Sequence, residues 1–366
     1  MSSKCKWVRL GDYITQRREK NNNYDVPIYG VTRDGFIPPK QKEADTSMYN
    51  TFYLNDFVFN PARMEINSIY LNDFCDKAIC SSLYEIFYIN DTSALLPHFL
   101  HIFLKRYEFA RHCEYIGWGS AREYCRIANI SDIEIPLPPI EEQQKIVNAW
   151  QSLREVKEQN EAIAAPLMQV CQSYIQELKH NYEWVEIGEY ITNSDERNNG
   201  SYSVADVKGV SIEKKFIETK ANMEGVNVSS YIQVRPNYFC FVPVTSRNGG
   251  KITMALNTSS SNYIVSTSYV VFYANDEDNV IPEYLHLWFC RPEFDRYARF
   301  HSWGSARETF TFDDMKRVRI PLPPVEVQRA IVNIYNCAKE AKQIAAEADR
   351  MSREVCSALI QHAINN

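Results

Sequence analysis

The feature that most restricts how this chain can fold is a ten-residue junction that occurs twice, each time at the head of a long helical run. Ile135-Pro136-Leu137-Pro138-Pro139-Ile140-Glu141-Glu142-Gln143-Gln144 returns as Ile320-Pro321-Leu322-Pro323-Pro324-Val325-Glu326-Val327-Gln328-Arg329. The paired prolines end an extended segment, because neither donates a backbone N–H or lets its predecessor adopt the α region. Acidic residues then fall in a first helical turn, where they suit the positive end of the helix dipole. The run predicts helices from Glu141 to about His180 and from Val325 to about Ala363, each about 60 Å long at the α-helical rise. A motif that launches a long helix twice marks an internal repeat.

Other paired segments extend the repeat over the whole chain. Trp7-Val8-Arg9-Leu10-Gly11-Asp12-Tyr13-Ile14 and Trp184-Val185-Glu186-Ile187-Gly188-Glu189-Tyr190-Ile191 open the two halves, 177 residues apart. Gly117-Trp118-Gly119-Ser120-Ala121-Arg122-Glu123 matches Ser302-Trp303-Gly304-Ser305-Ala306-Arg307-Glu308 at an offset of 185, the offset of the proline junctions. The repeat therefore keeps its ends and varies inside, as expected of a scaffold with interchangeable recognition surfaces. Between the paired segments lie short aromatic and β-branched runs that predict strands, such as Phe57–Phe59, Tyr84–Tyr88, Tyr238–Val242 and Tyr269–Tyr273. Leu96-Pro97 and Ile281-Pro282 each start a helix, with proline where its missing N–H costs nothing.

The long helices carry a narrow apolar stripe. Ile146, Trp150, Leu153, Leu167, Val170, Tyr174 and Leu178 follow three-and-four spacing in the first, interrupted by Lys157 and Asn160. Ile331, Tyr335, Ala338, Ala341, Ala345, Ala348, Cys356 and Leu359 do so in the second. Such stripes suit coiled-coil packing, and the alanines allow close approach, so the two helices are expected to pair antiparallel within the chain. Pro166 is expected to kink the first one locally. The expected layout is α+β. Globular domains with mixed sheets and helices occupy 1–140 and 183–324, and the helices at 141–182 and 325–366 join them as an antiparallel coiled coil.

Composition removes several functions. A net charge of −6 does not mark a nucleic-acid binder, and no segment is basic overall: residues 1–140 carry 16 basic and 17 acidic groups, residues 183–324 carry 15 and 18. Any DNA-binding surface must then be a local arrangement of Arg and Lys. No apolar run is long enough for a membrane helix, and no signal peptide precedes the first strand. The ten cysteines are scattered without metal spacing, which indicates reduced, mostly core thiols in a cytoplasmic protein. The seven histidines show no metal spacing either. No amino-methyltransferase Asn/Asp-Pro-Pro-Tyr/Phe motif is present. Asn248-Gly249-Gly250-Lys251 lacks the first glycine and the Ser/Thr of a phosphate loop. No catalytic residue, metal or cofactor is expected.

The I-P-L-P-P-x-E-x-Q pattern heading a long helix, twice, after a G-S-x-R segment, resembles the specificity (S) subunits of type I restriction–modification systems. The resemblance covers essentially the whole chain. It implies two target recognition domains, each reading one half of a bipartite site in double-stranded DNA, with the helices setting the spacing. It implies no catalysis by the chain itself. Two methyltransferase (M) subunits would dock on it, and restriction/motor (R) subunits would join for restriction. Two other readings fit the residues: a coiled-coil adaptor that binds no DNA, which the balanced charge suits, and the recognition part of a split nuclease–methyltransferase.

Candidate DNA contacts fall in three places. Arg33 and Lys208 follow the first strand of each domain. Asn60 and Arg63 in one half, and Arg247, Asn248 and Lys251 in the other, follow the aromatic strands. Ser120, Arg122, Ser305 and Arg307 belong to the W-G-S-x-R segments. Arg and Lys pair with guanine edges or phosphate and Asn with adenine, although any one of these loop residues can equally be merely solvated. Arg122 and Arg307 can instead cap or bridge to the helix start, and Trp118 and Trp303 are expected to pack. The helix and subunit interface is assigned to Pro138, Pro139, Ile146, Trp150, Leu153, Pro323, Pro324, Ile331 and Tyr335.

Overall fold

The computed structural model describes residues 5–22, 26–39, 46–117, 124–246, 250–304 and 307–365. The chain divides into two compact units, Met1–Glu161 with Gln343–Asn366, and Ala162–Lys342. The helices are α1 (Pro97–Leu104), α2 (Tyr107–Gly117), α3 (Ile127–Ser131), α4 (Ile140–Asn181), α5 (Pro282–Phe289), α6 (Pro292–Phe300), α7 (Phe312–Lys316) and α8 (Val325–Asn365).

Both units build the same sheet. In the first, the strand order is Ile14–Arg17, Glu85–Ile89, Phe57–Phe59, Ile69–Leu71; in the second it is Ile191–Ser194, Val270–Ala274, Tyr238–Phe241, Met254–Leu256. The named strands pair antiparallel, and parallel character is confined to the isolated bridges Ile28↔Ile79 and Val207↔Ile264. Cross-strand phenylalanines stack at the centre of each core: Phe57 on Phe87 and Phe239 on Phe272, both with ring centroids 4.8 Å apart. These facing aromatic pairs hold the register, since a one-residue slip would turn every buried ring outward. Strands Ile69–Leu71, Lys77–Cys80, Met254–Leu256 and Tyr263–Val265 complete the pairings and were not expected from the sequence.

The two ends of each repeat meet. Lys6–Arg9 pairs with Glu134–Leu137, and Trp184–Glu186 with Arg319–Pro321, so each opening Trp lies opposite a junction proline, Pro136 or Pro321. The turn after each opening strand presses on a short helix. A Cβ at Gly11 would lie 2.9 Å from the Ser131 Cβ, and one at Gly188 2.9 Å from the Lys316 Cβ, so glycine is required at both.

The Gln that recurs in each junction joins helix to domain. Gln143 is fully buried; its Nε2 donates to the carbonyls of Ala94 and Pro138, both at 2.9 Å, and its Oε1 accepts from Leu96 N at 2.9 Å. Gln328 repeats this with Asn279 O (2.7 Å), Pro323 O (2.9 Å) and Ile281 N (3.1 Å). Leu96 and Ile281 are the N-cap residues of α1 and α5 and offer no capping side chain. One carboxamide thus closes the proline turn and caps a second helix.

α4 runs unbroken through Pro166, which is exposed and leaves the carbonyl of residue 162 without its intrahelical donor. In the first unit, Ile146 and Val147 of α4 share a core with Cys356, Ile360 and Ala363 of α8. Lys157 there donates to Asp349 at 2.8 Å, so the two helices run antiparallel in this unit. In the second unit, Cys171, Ile175 and Leu178 share a core with Ile331 and Val332. The stripe differs from expectation at one point. Val170 and Tyr174 are 43% and 42% exposed, while Cys171 and Ile175 are buried. The difference is one residue, a rotation of about 100° on a helix of 3.6 residues per turn. Lys157 does not break the seam, because Asp349 neutralises it.

Replacing Gln143 by Ala strands a buried N–H and two carbonyls. At about 1–3 kcal/mol for each unsatisfied group, with partial relaxation, the variant is expected to lose on the order of 3 kcal/mol in denaturant unfolding of the first unit. Gln328→Ala should do the same to the second.

Candidate nucleic-acid interface

In the first unit the candidate segments are joined by named bonds. Gly30–Val31 and Phe36–Ile37 form a hairpin whose turn is closed by Thr32, with N and Oγ1 donating to Gly35 O at 2.9 and 2.8 Å. Arg33 stands exposed at its tip. Asn60 caps the 3-10 helix Pro61–Ile66, its Oδ1 accepting from Ala62 N at 3.1 Å, and Arg63 is exposed on that helix. Asn60 is therefore partly committed to its own turn. Pro61 O accepts from Cys125 N at 3.0 Å, which ties this helix to the stretch ahead of α3.

The hairpin is held by a residue outside all the expected segments. Lys105, at the end of α1, donates from Nζ to Arg33 O at 2.5 Å and to Asn67 O at 3.2 Å, above the Tyr70 ring with 4.8 Å to its centroid. Burial, against the opposing pull of Asp34, brings its amine down to about 7.

The second unit joins the same segments with different chemistry. Phe310 N donates to Pro243 O at 2.8 Å, the counterpart of the Cys125–Pro61 bond, and Thr245 N donates to Glu308 O at 3.0 Å. Its hairpin pairs Lys208–Val210 with Phe216–Glu218. Lys208 is half-buried and forms an ion pair with Glu218, rather than presenting a free cation. Lys214 in the turn is buried instead; its Nζ donates to Asp295 at 2.6 Å and to Ile252 O at 2.8 Å. Ile252 N also donates to Asp295, at 3.1 Å. Desolvation lowers the Lys214 amine, and Asp295 opposes that shift.

Trp303 corrects an expectation: it is 70% exposed, not packed. Its backbone exchanges hydrogen bonds with Thr309, at 3.2 and 2.9 Å, forming a tight loop that sets the ring outward. Gly304 permits that loop at φ +143°, where a Cβ would lie 2.1 Å from Arg307 O. Arg307 is exposed, and Glu308 is occupied by Arg299. Ser120, Arg122, Trp118, Arg247, Asn248 and Ser305 lie outside the described residues. Arg33, Arg63, Lys251 and Arg307 are exposed and form no ion pair among the described residues. Among the described residues, the second unit joins the three segments, the first joins its hairpin, its 3-10 helix and Cys125, and a few long cations stand exposed beside them. That arrangement can contact phosphate or guanine edges.

The residues assigned to the helix and subunit interface mostly face inward. Pro138, Pro323, Ile146 and Ile331 are buried; Pro139, Leu153, Trp150 and Tyr335 are half-buried, and Pro324 is exposed. Trp150 packs beside His98 and His101, with centroids 5.8 and 5.7 Å apart, and Arg154 stacks 5.2 Å from its ring centroid. Arg154 also pairs with Asp73, so α4 is anchored to the sheet loop of its own unit. His98 lies 3.8 Å from the same carboxylate. Burial alone would raise Asp73, but the bonds from His98 and Arg154 outweigh it and bring the carboxyl down to about 2. Burial, aided by Lys105, keeps His101 neutral, down to about 3. Lys105, Lys214, Asp295 and the Asp73–Arg154 pair left no local sequence signal, since each acts across a long stretch of chain.

Both halves of the chain match one known family. The model for the type I restriction modification DNA specificity domain matches twice, over residues 7–165 and 177–336. The chain belongs to this family. Within it, the chain is 31% identical over 87 residues to the type I restriction enzyme EcoBI specificity subunit of Escherichia coli, a match spanning 24% of this chain and 17% of that protein. The S subunit of a type I restriction–modification system from M. genitalium has the same fold, with a TM-score of 0.64 at 14% identity, covering 98% of this chain and 96% of that one. Among the described residues, no helix is long and apolar enough to cross a membrane.

The Asp73 site sets a pH dependence. A carboxyl held below its ordinary value of 3.8, at about 2, stabilises the fold above about pH 4, and that contribution is lost as pH falls through 2. Between pH 5 and 2 the wild-type protein is expected to lose on the order of 2 kcal/mol more than an Asp73→Asn variant, measured by denaturant titration at each pH.

Proposed function

We propose that this chain is the DNA-recognition subunit of a type I restriction–modification complex. Each unit reads one half of a bipartite site in double-stranded DNA, and α4 and α8 hold the two readings at a set spacing. Two methyltransferase subunits dock on it, one per repeat, and restriction/motor subunits join the full complex. In this reading the chain positions catalysis and performs none, and it works in the cytoplasm.

One observation supports the reading: the twofold family match coincides with candidate contact loops in each unit, and among the described residues Arg33, Arg63, Lys251 and Arg307 stand exposed on them without an ion pair. The overall charge of −6 is compatible with it, because DNA is met by local cations rather than by a basic domain. The interiors of the two repeats differ while their ends agree. This fits a protein that reads two different half-sites but binds the same partner twice.

Three measurements test it. The complex formed at saturation with its methyltransferase is expected to have the mass of one chain and two partners; a single copy would count against the division into equivalent docking sites. Within that complex, Arg33→Ala or Arg63→Ala should alter the reading of one half-site, and Lys251→Ala, Lys208→Ala or Arg247→Ala the other. Each lost base contact is worth roughly 1–3 kcal/mol. Binding should also weaken steeply with salt, as phosphate contacts require, whereas an adaptor without DNA would show no such slope.

A further inference from the structure

The hairpins that carry Arg33 and Lys208 are short, and their bases are packed: Ser68 Oγ donates to Val31 O at 3.0 Å and Phe36 stacks on Phe52 in the first, and Phe216 packs on Tyr263 in the second. At the turn of each, beyond that packing, a lysine adds a hydrogen-bonded tie to the unit, used in opposite directions. In the first unit Lys105 reaches from the end of α1 up to the hairpin, bonding Arg33 O and Asn67 O. In the second, Lys214 reaches from the hairpin turn down to Asp295 at the start of α6 and to Ile252 O. The acceptors of Lys105 are the backbone of the candidate contact residue itself and the end of the 3-10 segment that carries Arg63. A strut at that place governs where two exposed arginines stand relative to each other.

We infer that Lys105 is a positioning residue for DNA specificity: it holds the Arg33 hairpin against the Arg63 segment, so that the first half-site is read by both together. The inference rests on the functional reading above. Lys105 touches no base; it acts through Arg33. Only this half-site depends on it, because the hairpin of the second unit is secured by Lys214 and Asp295. The groups facing the ammonium are Asp34 and Arg33 on the hairpin, Tyr70 on the adjoining strand and His101 one turn earlier on α1. Asp34 is its acidic neighbour there and forms no ion pair with it among the described residues. The strut therefore rests on bonds to carbonyl oxygens, which weaken when the amine gives up its proton near neutral pH. In the second unit a carboxylate backs the lysine. Recognition of the first half-site should accordingly fall as pH rises through about 7, while the second half-site should hold.

The test uses the full chain in its methyltransferase complex, on duplexes carrying the site mapped by wild-type methylation and its single-base variants in each half. Lys105→Met is expected to lower discrimination at the first half-site about tenfold, the size of one good base contact, and to leave the second unchanged. Lys105→Arg should restore it and abolish its pH dependence, since guanidinium stays charged. Unaltered discrimination in Lys105→Met would overturn the inference. Equal loss at both halves, or a failure of the arginine variant to rescue, would also overturn it by pointing to general destabilisation. A wild-type complex that discriminates at neither half would refute the functional reading itself, before any variant is made.

Discussion

A buried carboxamide making three hydrogen bonds holds each half of this protein together. Gln143 and Gln328 sit where an extended strand must become a long helix, and where a second helix begins with no capping side chain of its own. The prolines ahead of them remove backbone donors, so the chain there is rich in carbonyls and poor in N–H groups. A glutamine supplies both kinds of partner at once: two N–H donors to carbonyls and one acceptor for the lone N–H. Glutamate could accept but not donate, and an apolar residue could do neither. The strand pairing across each repeat, the placement of α1 and α5, and the departure angle of α4 and α8 all meet at this side chain.

Around that fixed point the two units diverge in how they finish the same construction. The stacked phenylalanines, the close-packed glycines and the backbone bond from Cys125 or Phe310 to the facing proline carbonyl are common to both. The lysine that secures the hairpin is not, and it comes from different elements in the two units. Contacts made by backbone or by core rings tolerate replacement of the loops between them, and side-chain struts have to be rebuilt each time. A repeat that keeps the first class and varies the second can change what its loops present without losing its fold.

The parts of the architecture readable in the amino-acid order are those with local rules. Proline junctions, helix starts at Pro97 and Pro282, aromatic strands and a three-and-four stripe each leave a signature within about ten residues. Strands such as Ile69–Leu71 and Lys77–Cys80 escaped because three or four residues between turns show no period. The stripe was misread at Val170 and Tyr174 because a hydrophobic residue adjacent to a seam resembles one within it. Trp303 is exposed because a backbone loop, not ring area, decides its direction. For the candidate site, the loops were legible by composition and place in the repeat. Lys105 and Lys214 were not, as their partners lie 38 to 81 residues away in the chain.

The ion pair between Lys157 and Asp349 has a consequence beyond satisfying a charged seam. Shifted by the 185-residue repeat, Lys157 corresponds to Lys342, and Asp349 corresponds to Ala164. The pair therefore has no twin. An otherwise duplicated molecule carries one polar mark that tells its first helix from its second, much as a lone polar residue sets partner choice in a coiled coil. Assembled from two first halves, the seam would face each Lys157 with an alanine; from two second halves, each Asp349 would again meet a lysine, Lys342. The acid is present in the second helix alone, so the mark works in one direction: it penalises a seam built from two first helices and leaves the natural pairing with its ion pair.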